Sequence, residues 1–141
     1  MSTIFPTEMN VVEENYGLAT NFEYVRQPSY THKLNGTTVV GCVDNLDAYK
    51  QAVFKILNTE RYEYIIYSWD YGVELKDLIG QPIYYVVPEL EARITEAIMQ
   101  DDRTISVSNF EFDTSKLGVV AVSFECASIY GEIEMELSVE I

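Results

Sequence analysis

The sequence predicts an α+β domain in which two principal helices pack on an antiparallel β-sheet, preceded by an extended arm and closed by a C-terminal β-hairpin. Three observations carry that prediction. Apolar residues recur at three- and four-residue intervals in two separate runs, Asn35-Gly36 divides two short β-favouring stretches, and residues 132–141 alternate between polar and apolar side chains.

Residues 1–21 mix Pro6, Asn10, Glu13, Glu14, Asn15 and Gly17 without a sustained period, which predicts an arm that is extended or disordered until it meets a neighbour. A single domain is expected over 22–141. Its first element is a hairpin. Tyr30 to Leu34 and Thr37 to Val40 flank Asn35-Gly36, a pair suited to a type I′ turn because both central positions need positive φ. Asp44 then caps a helix whose Leu46, Tyr49, Val53, Ile56 and Leu57 form one buried stripe.

The helical pattern breaks at Asn58-Thr59, and after Glu60-Arg61 the period changes to two. Tyr62 to Trp69 is read as an extended segment with large rings on both faces, wedged between the core and another surface. Val73 to Ile79 predicts a short helical turn closed by Gly80. Pro88 is placed in the first turn of a second helix with the stripe Leu90, Ile94, Ala97 and Ile98. Asp101-Asp102 ends that helix.

Arg103 to Phe112 alternates as a strand, with a change of phase near Ser108-Asn109 that predicts a bulge. Val120, Val122, Phe124 and Cys126 share one face of the next strand, and Tyr130-Gly131 turns the chain back. In the last strand Glu132, Glu134, Glu136, Ser138 and Glu140 alternate with Ile133, Met135, Leu137, Val139 and Ile141. One face is core and the other acidic.

With 141 residues, 48% of them hydrophobic, the chain suits one core. It has no apolar run near the roughly 18 residues of a membrane span and no basic-then-apolar leader, which predicts synthesis in the cytoplasm and no membrane partner. A net charge of −14 repels the phosphate backbone, so nucleic acid is not an expected partner. Cys42 and Cys126 stand far apart in apolar patterns and are expected to be buried, reduced thiols. No metal or cofactor is expected. His32 is the one histidine, and no P-loop, dinucleotide turn, zinc signature or Ser/His/Asp set occurs.

Glu60 and Arg61 sit where the helix ends. Spacing leaves two readings open: a solvated pair complementing the helix dipole, or a docking point in which the arginine fork meets a partner's carboxylate or carbonyls. The terminal glutamate row is open in the same way. It is an ordinary amphipathic strand whose charges discourage aggregation, or an edge that accepts an incoming strand bearing basic residues.

The string Ile56-Leu57-Asn58-Thr59-Glu60-Arg61, followed by Tyr71-Gly72-Val73-Glu74-Leu75, Leu78-Ile79-Gly80 and Asp101-Asp102-Arg103-Thr104-Ile105, resembles the sheath-initiator family of contractile-tail baseplates. The likeness runs from about Tyr30 to the C-terminus and is nearest to the branch of PBSX-like defective prophages and phage-tail-like bacteriocins. The chain departs from the wider pattern in lacking Pro or Gly before Glu60 and in having Tyr71 where Phe is usual.

The resemblance implies a non-enzymatic structural subunit, made in the cytoplasm and incorporated in a baseplate. Its implied partners are baseplate wedge proteins and the sheath protein, with tail tube or hub proteins as further neighbours. It further implies that Glu60 and Arg61 help fasten the subunit to the wedge core. The terminal hairpin, with Glu132, Glu134, Glu136 and Glu140, would receive strands of the first sheath ring.

Two alternatives stand beside it. A regulatory binding module can share this kind of fold. A cell-wall glycoside hydrolase would need a proton-donating carboxyl and a second carboxylate in one cleft. Glu60, Glu63, Asp70 and Glu74 could be imagined there, but Arg61 and polar neighbours oppose the raised pKa that such an acid requires.

Overall fold

The computed structural model describes residues 24–141; the arm expected over 1–21 lies outside them. Strands β1 (Thr31–Asn35) and β2 (Thr38–Val43) form a two-stranded antiparallel sheet that leads into helix α1 (Asn45–Leu57). A loop and a 3₁₀ turn (Lys76–Leu78) connect α1 to α2 (Ile83–Met99). Strands β3 (Thr104–Asp113), β4 (Val119–Ser128) and β5 (Gly131–Glu140) then make an antiparallel sheet in the order β3-β4-β5. The predicted α+β architecture is therefore present, with its strands divided between two sheets.

The core lies between the helices and one face of the larger sheet. Tyr49, Val53 and Leu57 of α1 meet Val86, Leu90, Ile94 and Ile98 of α2, and below them lie Val120, Val122, Phe124 and Cys126 of β4 with Ile133, Met135 and Val139 of β5. Both expected helical stripes are buried, apart from Leu46, which is partly buried against the same cluster. Asp44 caps α1 by accepting the Asn45 N–H at 2.7 Å. The bulge in β3 is also present: register shifts between Ser108 and Glu111, where Asn109 has φ 56.

Four expectations need correction. The first hairpin turns at Gly36-Thr37, because Asn35 pairs with Thr38; only the first central residue has positive φ, +58 at Gly36, which is the requirement of a type II′ turn. Helix α2 begins at Ile83 behind Pro82, so Pro88 lies inside it rather than in its first turn. The N–H that proline lacks would have bonded to the carbonyl of Tyr84, a residue on the solvent side of the helix. Cys42 is exposed, because the small sheet covers α1 with one face only, whereas Cys126 is buried and burial pushes its thiol up to about 12.

The fourth correction concerns Tyr62 to Trp69, which is a run of turns and not an extended strand. Tyr67 N–H bonds to the Tyr64 carbonyl at 3.2 Å and Tyr71 N–H to the Ser68 carbonyl at 3.2 Å, closing successive turns. Tyr62 itself has φ 66, a conformation that a bulky side chain adopts only when its surroundings hold it there.

Between α2 and β3, Asp101 and Arg103 are buried as a pair. Arg103 donates from Nε to Asp101 Oδ1 at 2.9 Å and from Nη2 to Oδ2 at 2.6 Å, and its guanidinium lies 5.8 Å from the centre of the Tyr49 ring. Burial alone would raise the Asp101 carboxyl pKa; the bonds from Arg103 overcome it and hold the group below its ordinary value. A depressed folded pKa gives stability that is present above the unfolded value, about 3.9, and is lost as pH falls through the folded one. Asp101→Asn is expected to be less stable than the parent at neutral pH, with the gap narrowing below about pH 4. Thermal unfolding of both chains across pH 2.5–7 checks this.

Candidate functional site

The loop between α1 and α2 is built around Glu60 and Arg61. Thr59 and Arg61 exchange backbone hydrogen bonds with Val73, through Val73 N–H to the Thr59 carbonyl at 3.0 Å and Arg61 N–H to the Val73 carbonyl at 3.2 Å. The two ends of the loop are thus joined, and Glu60 and Val73 form an isolated parallel bridge. At this crossing Gly72 has φ +95, and a Cβ there would stand 2.5 Å from the Thr59 carbonyl oxygen. Only glycine fits.

The two side chains brace this crossing from opposite directions. Glu60 accepts the N–H of Leu75 at 3.1 Å and of Lys76 at 3.2 Å, which fixes the start of the 3₁₀ turn. Arg61, whose side chain is 10% exposed, donates from Nε to the Gly72 carbonyl at 3.2 Å and from Nη2 to Glu96 of α2 at 2.7 Å; Nη1 lies 3.7 Å from Glu74. Its hydrogen bond to Glu96 raises the guanidinium pKa further above its ordinary value. Lys76 closes the other side through Glu63 at 2.7 Å.

Arg93 is a bracing residue that sequence pattern did not single out. From α2 it donates to the Glu74 carbonyl at 2.9 Å, to both Asp77 oxygens and to Glu89 at 3.1 Å. It lies three residues after the buried Leu90 and directly before the buried Ile94, at the border of the apolar stripe, a position that does not by itself distinguish it from the other polar residues of the helix. Arg61 and Arg93 tie the loop to α2, and Glu60 ties its two ends to each other, by charge-assisted hydrogen bonds, which are the stronger kind.

What the brace holds outward is apolar. Ile65 is 102% exposed, Trp69 82% and Ile66 81%, with Tyr62 and Tyr64 also exposed. Tyr67 stacks on Tyr71 at 4.5 Å and meets Tyr64 edge-on at 6.2 Å, so the rings support one another in place. A set of large apolar side chains on a tied loop is suited to enter a partner's surface. The same loop offers poor general-acid chemistry: Glu60 meets backbone N–H groups, Glu63 meets Lys76 and Glu74 meets Arg61, none of them an apolar wall.

The other predicted residues lie on the far side of the large sheet. Cross-strand pairing puts Glu132, Glu134, Glu136 and Glu140 on the solvent face with Glu125, Glu111 and Asp113. Glu125 is directly opposite Glu134, a like-charge pair, and Asn109 donates to Glu125 at 2.6 Å. Strand β5 pairs with β4 over its whole length without a shift, and among the described residues no strand pairs with its outer edge. Strand β3, the opposite edge, has two register shifts. The structure therefore separates the two sets of predicted site residues, placing Glu60 and Arg61 beside α2 and the glutamate row on the exposed face.

Residues 14–131 match the family model described as contractile injection system sheath initiator. The chain is also 35% identical over 119 residues to the phage-like element PBSX protein XkdS of Bacillus subtilis (strain 168), covering 79% of this chain and 83% of that relative. Among the described residues no helix is long and apolar enough to cross a membrane.

Proposed function

The chain belongs to the contractile injection system sheath initiator family, whose role is structural and lies in a contractile tail, and from that premise we propose that it joins the baseplate wedge to the first sheath ring through two separate surfaces. The wedge-facing surface is the loop braced by Glu60 and Arg61. The observation that carries this half is the exposure of Ile65, Ile66 and Trp69 on a loop whose ends are tied by backbone and charge-assisted hydrogen bonds. Glu60 and Arg61 contribute by holding the loop in its docking shape, since their hydrogen bonds are directed into the subunit.

The sheath-facing surface is the outer edge of β5. Main-chain pairing suits an anchor that must persist while the attached ring moves, and β5 offers ten residues in unbroken register. On the opposite side of the sheet, the shifts in β3 blunt the alternative edge.

Wedge and sheath proteins from the same tail locus, co-expressed with the tagged chain, provide the test. Ile65→Ser with Trp69→Ala is expected to lower wedge capture at least about tenfold with an unchanged melting temperature, as loss of central apolar anchors does. Arg61→Ala should lower both capture and melting temperature, because it removes internal bonds. Sheath capture should survive all three substitutions. Undiminished wedge capture by the Ile65→Ser/Trp69→Ala chain would overturn the docking assignment.

A further inference from the structure

Resting on the strand-pairing reading of β5, we infer that this edge selects an extended partner segment in which apolar residues alternate with lysine or arginine, the apolar ones directed under α1 and the basic ones over the glutamate row. Two adjoining spaces run along the edge. One of about 590 Å³ follows Glu132 to Glu136 and is bordered by Leu46, Asp47 and Lys50 of α1. The other, about 570 Å³, continues from Met135 beneath Phe54 and Leu34, between α1 and the small hairpin. They share Asp47, Lys50 and Met135, so together they form one trough beside a strand edge.

The two sides of this trough differ in chemistry. On the α1 side Phe54 is 57% exposed and Leu34 41%, and they surround Met135 on the core face of β5. Lys33 and Lys50 stand at its border with the single carboxylate of Asp47, so this side is net positive and disfavours a further cation. On the other side are Glu132, Glu134, Glu136 and Glu140, and no ion pair among the described residues involves them.

Successive side chains of an added strand point to opposite sheet faces, so the alternation of β5 is imposed on whatever pairs with it. Apolar side chains at every second position cover the exposed Phe54 and Leu34 beside the already buried Met135. The intervening basic side chains lie across from the glutamates and offset the repulsion between Glu125 and Glu134. A register slip of one residue would set cations against Lys33 and Lys50 and apolar groups against carboxylates, so the chemistry also fixes the register.

Hydrogen exchange of the full chain reads this at the β5 amides, with three synthetic nine-residue peptides as probes: alternating Lys-Val, alternating Lys-Ser and alternating Glu-Val, each beside the purified sheath protein. The Lys-Val peptide and the sheath protein are expected to protect every second amide of residues 132–140. Phe54→Glu should weaken the Lys-Val peptide at least tenfold, as should Glu132→Lys combined with Glu136→Lys. Equal protection by Lys-Ser, or none by Lys-Val while the sheath protein still protects β5, would overturn the alternation rule and leave strand pairing standing. Failure of the sheath protein to protect β5 would remove the strand-pairing reading itself. Protection of those amides before any probe is added would mean that the edge is already covered, and overturns the inference.

Discussion

Asp101→Ala is expected to lower the unfolding free energy by about 3–5 kcal/mol, because it leaves a guanidinium buried without its counter-ion. Arg103 is 5% exposed, and two of its nitrogens end on Asp101. The Tyr49 ring 5.8 Å away offers about 0.5–2 kcal/mol of cation–π attraction, too little to replace a carboxylate. Replacing both partners, Asp101→Ala with Arg103→Met, should recover most of the loss, since neither charge is then stranded. Urea titrations of the parent, the single and the double variant measure it. Equal stability of the single and double variants would show that Arg103 is not stranded by the loss of Asp101.

Gly72→Ala is expected to disrupt the loop crossing while leaving the sheet and helices folded. Positive φ at a non-glycine residue costs about 1–3 kcal/mol, and the added methyl would also meet the Thr59 carbonyl oxygen at 2.5 Å, an atom already engaged with Val73. The crossing must open to admit it, and with it goes the Arg61 bond to the Gly72 carbonyl. Hydrogen exchange should show the amides of Arg61 and Val73 losing protection, with those of β4 unchanged. Wedge capture is expected to fall as far as it does on removing Ile65 and Trp69. Retained protection at Arg61 and Val73 would mean that Gly72 is not what permits the crossing.

The parts of the fold legible in the sequence are those where one period governs a whole element. The stripes of α1 and α2, the alternation of β5 and the phase change at Asn109 are each fixed by residues three, four or two apart. Tyr62 to Trp69 misled because alternating rings imitate a strand, while the chain closes successive turns there and its two ends are joined through Thr59, Arg61 and Val73, contacts that no periodicity encodes. Glu60 and Arg61 could be picked out, but the direction of an arginine fork depends on its acceptors. Glu96, which takes Nη2, lies 35 positions away on another helix. Arg93 is hidden for the same reason: among the polar residues of an amphipathic helix, only the fold identifies the one facing the loop. At Asn35-Gly36 the turn signal was sound, but the pairing of Asn35 with Thr38 moved the central positions by one.

Because β4 and β5 are paired from Val119↔Glu140 to Ser128↔Gly131 without a break, a pull directed along β5 is resisted in shear. Every hydrogen bond of the ladder carries load together, and none yields until several do. Tension applied across the strand at Gly131 would instead peel the ladder open one bond at a time. Under the proposed attachment, a contracting ring that pulled along the outer edge of β5 would load the subunit in its strong direction, whereas the same ring attached to β3 would pull on a ladder already divided at Ser106 and Glu111.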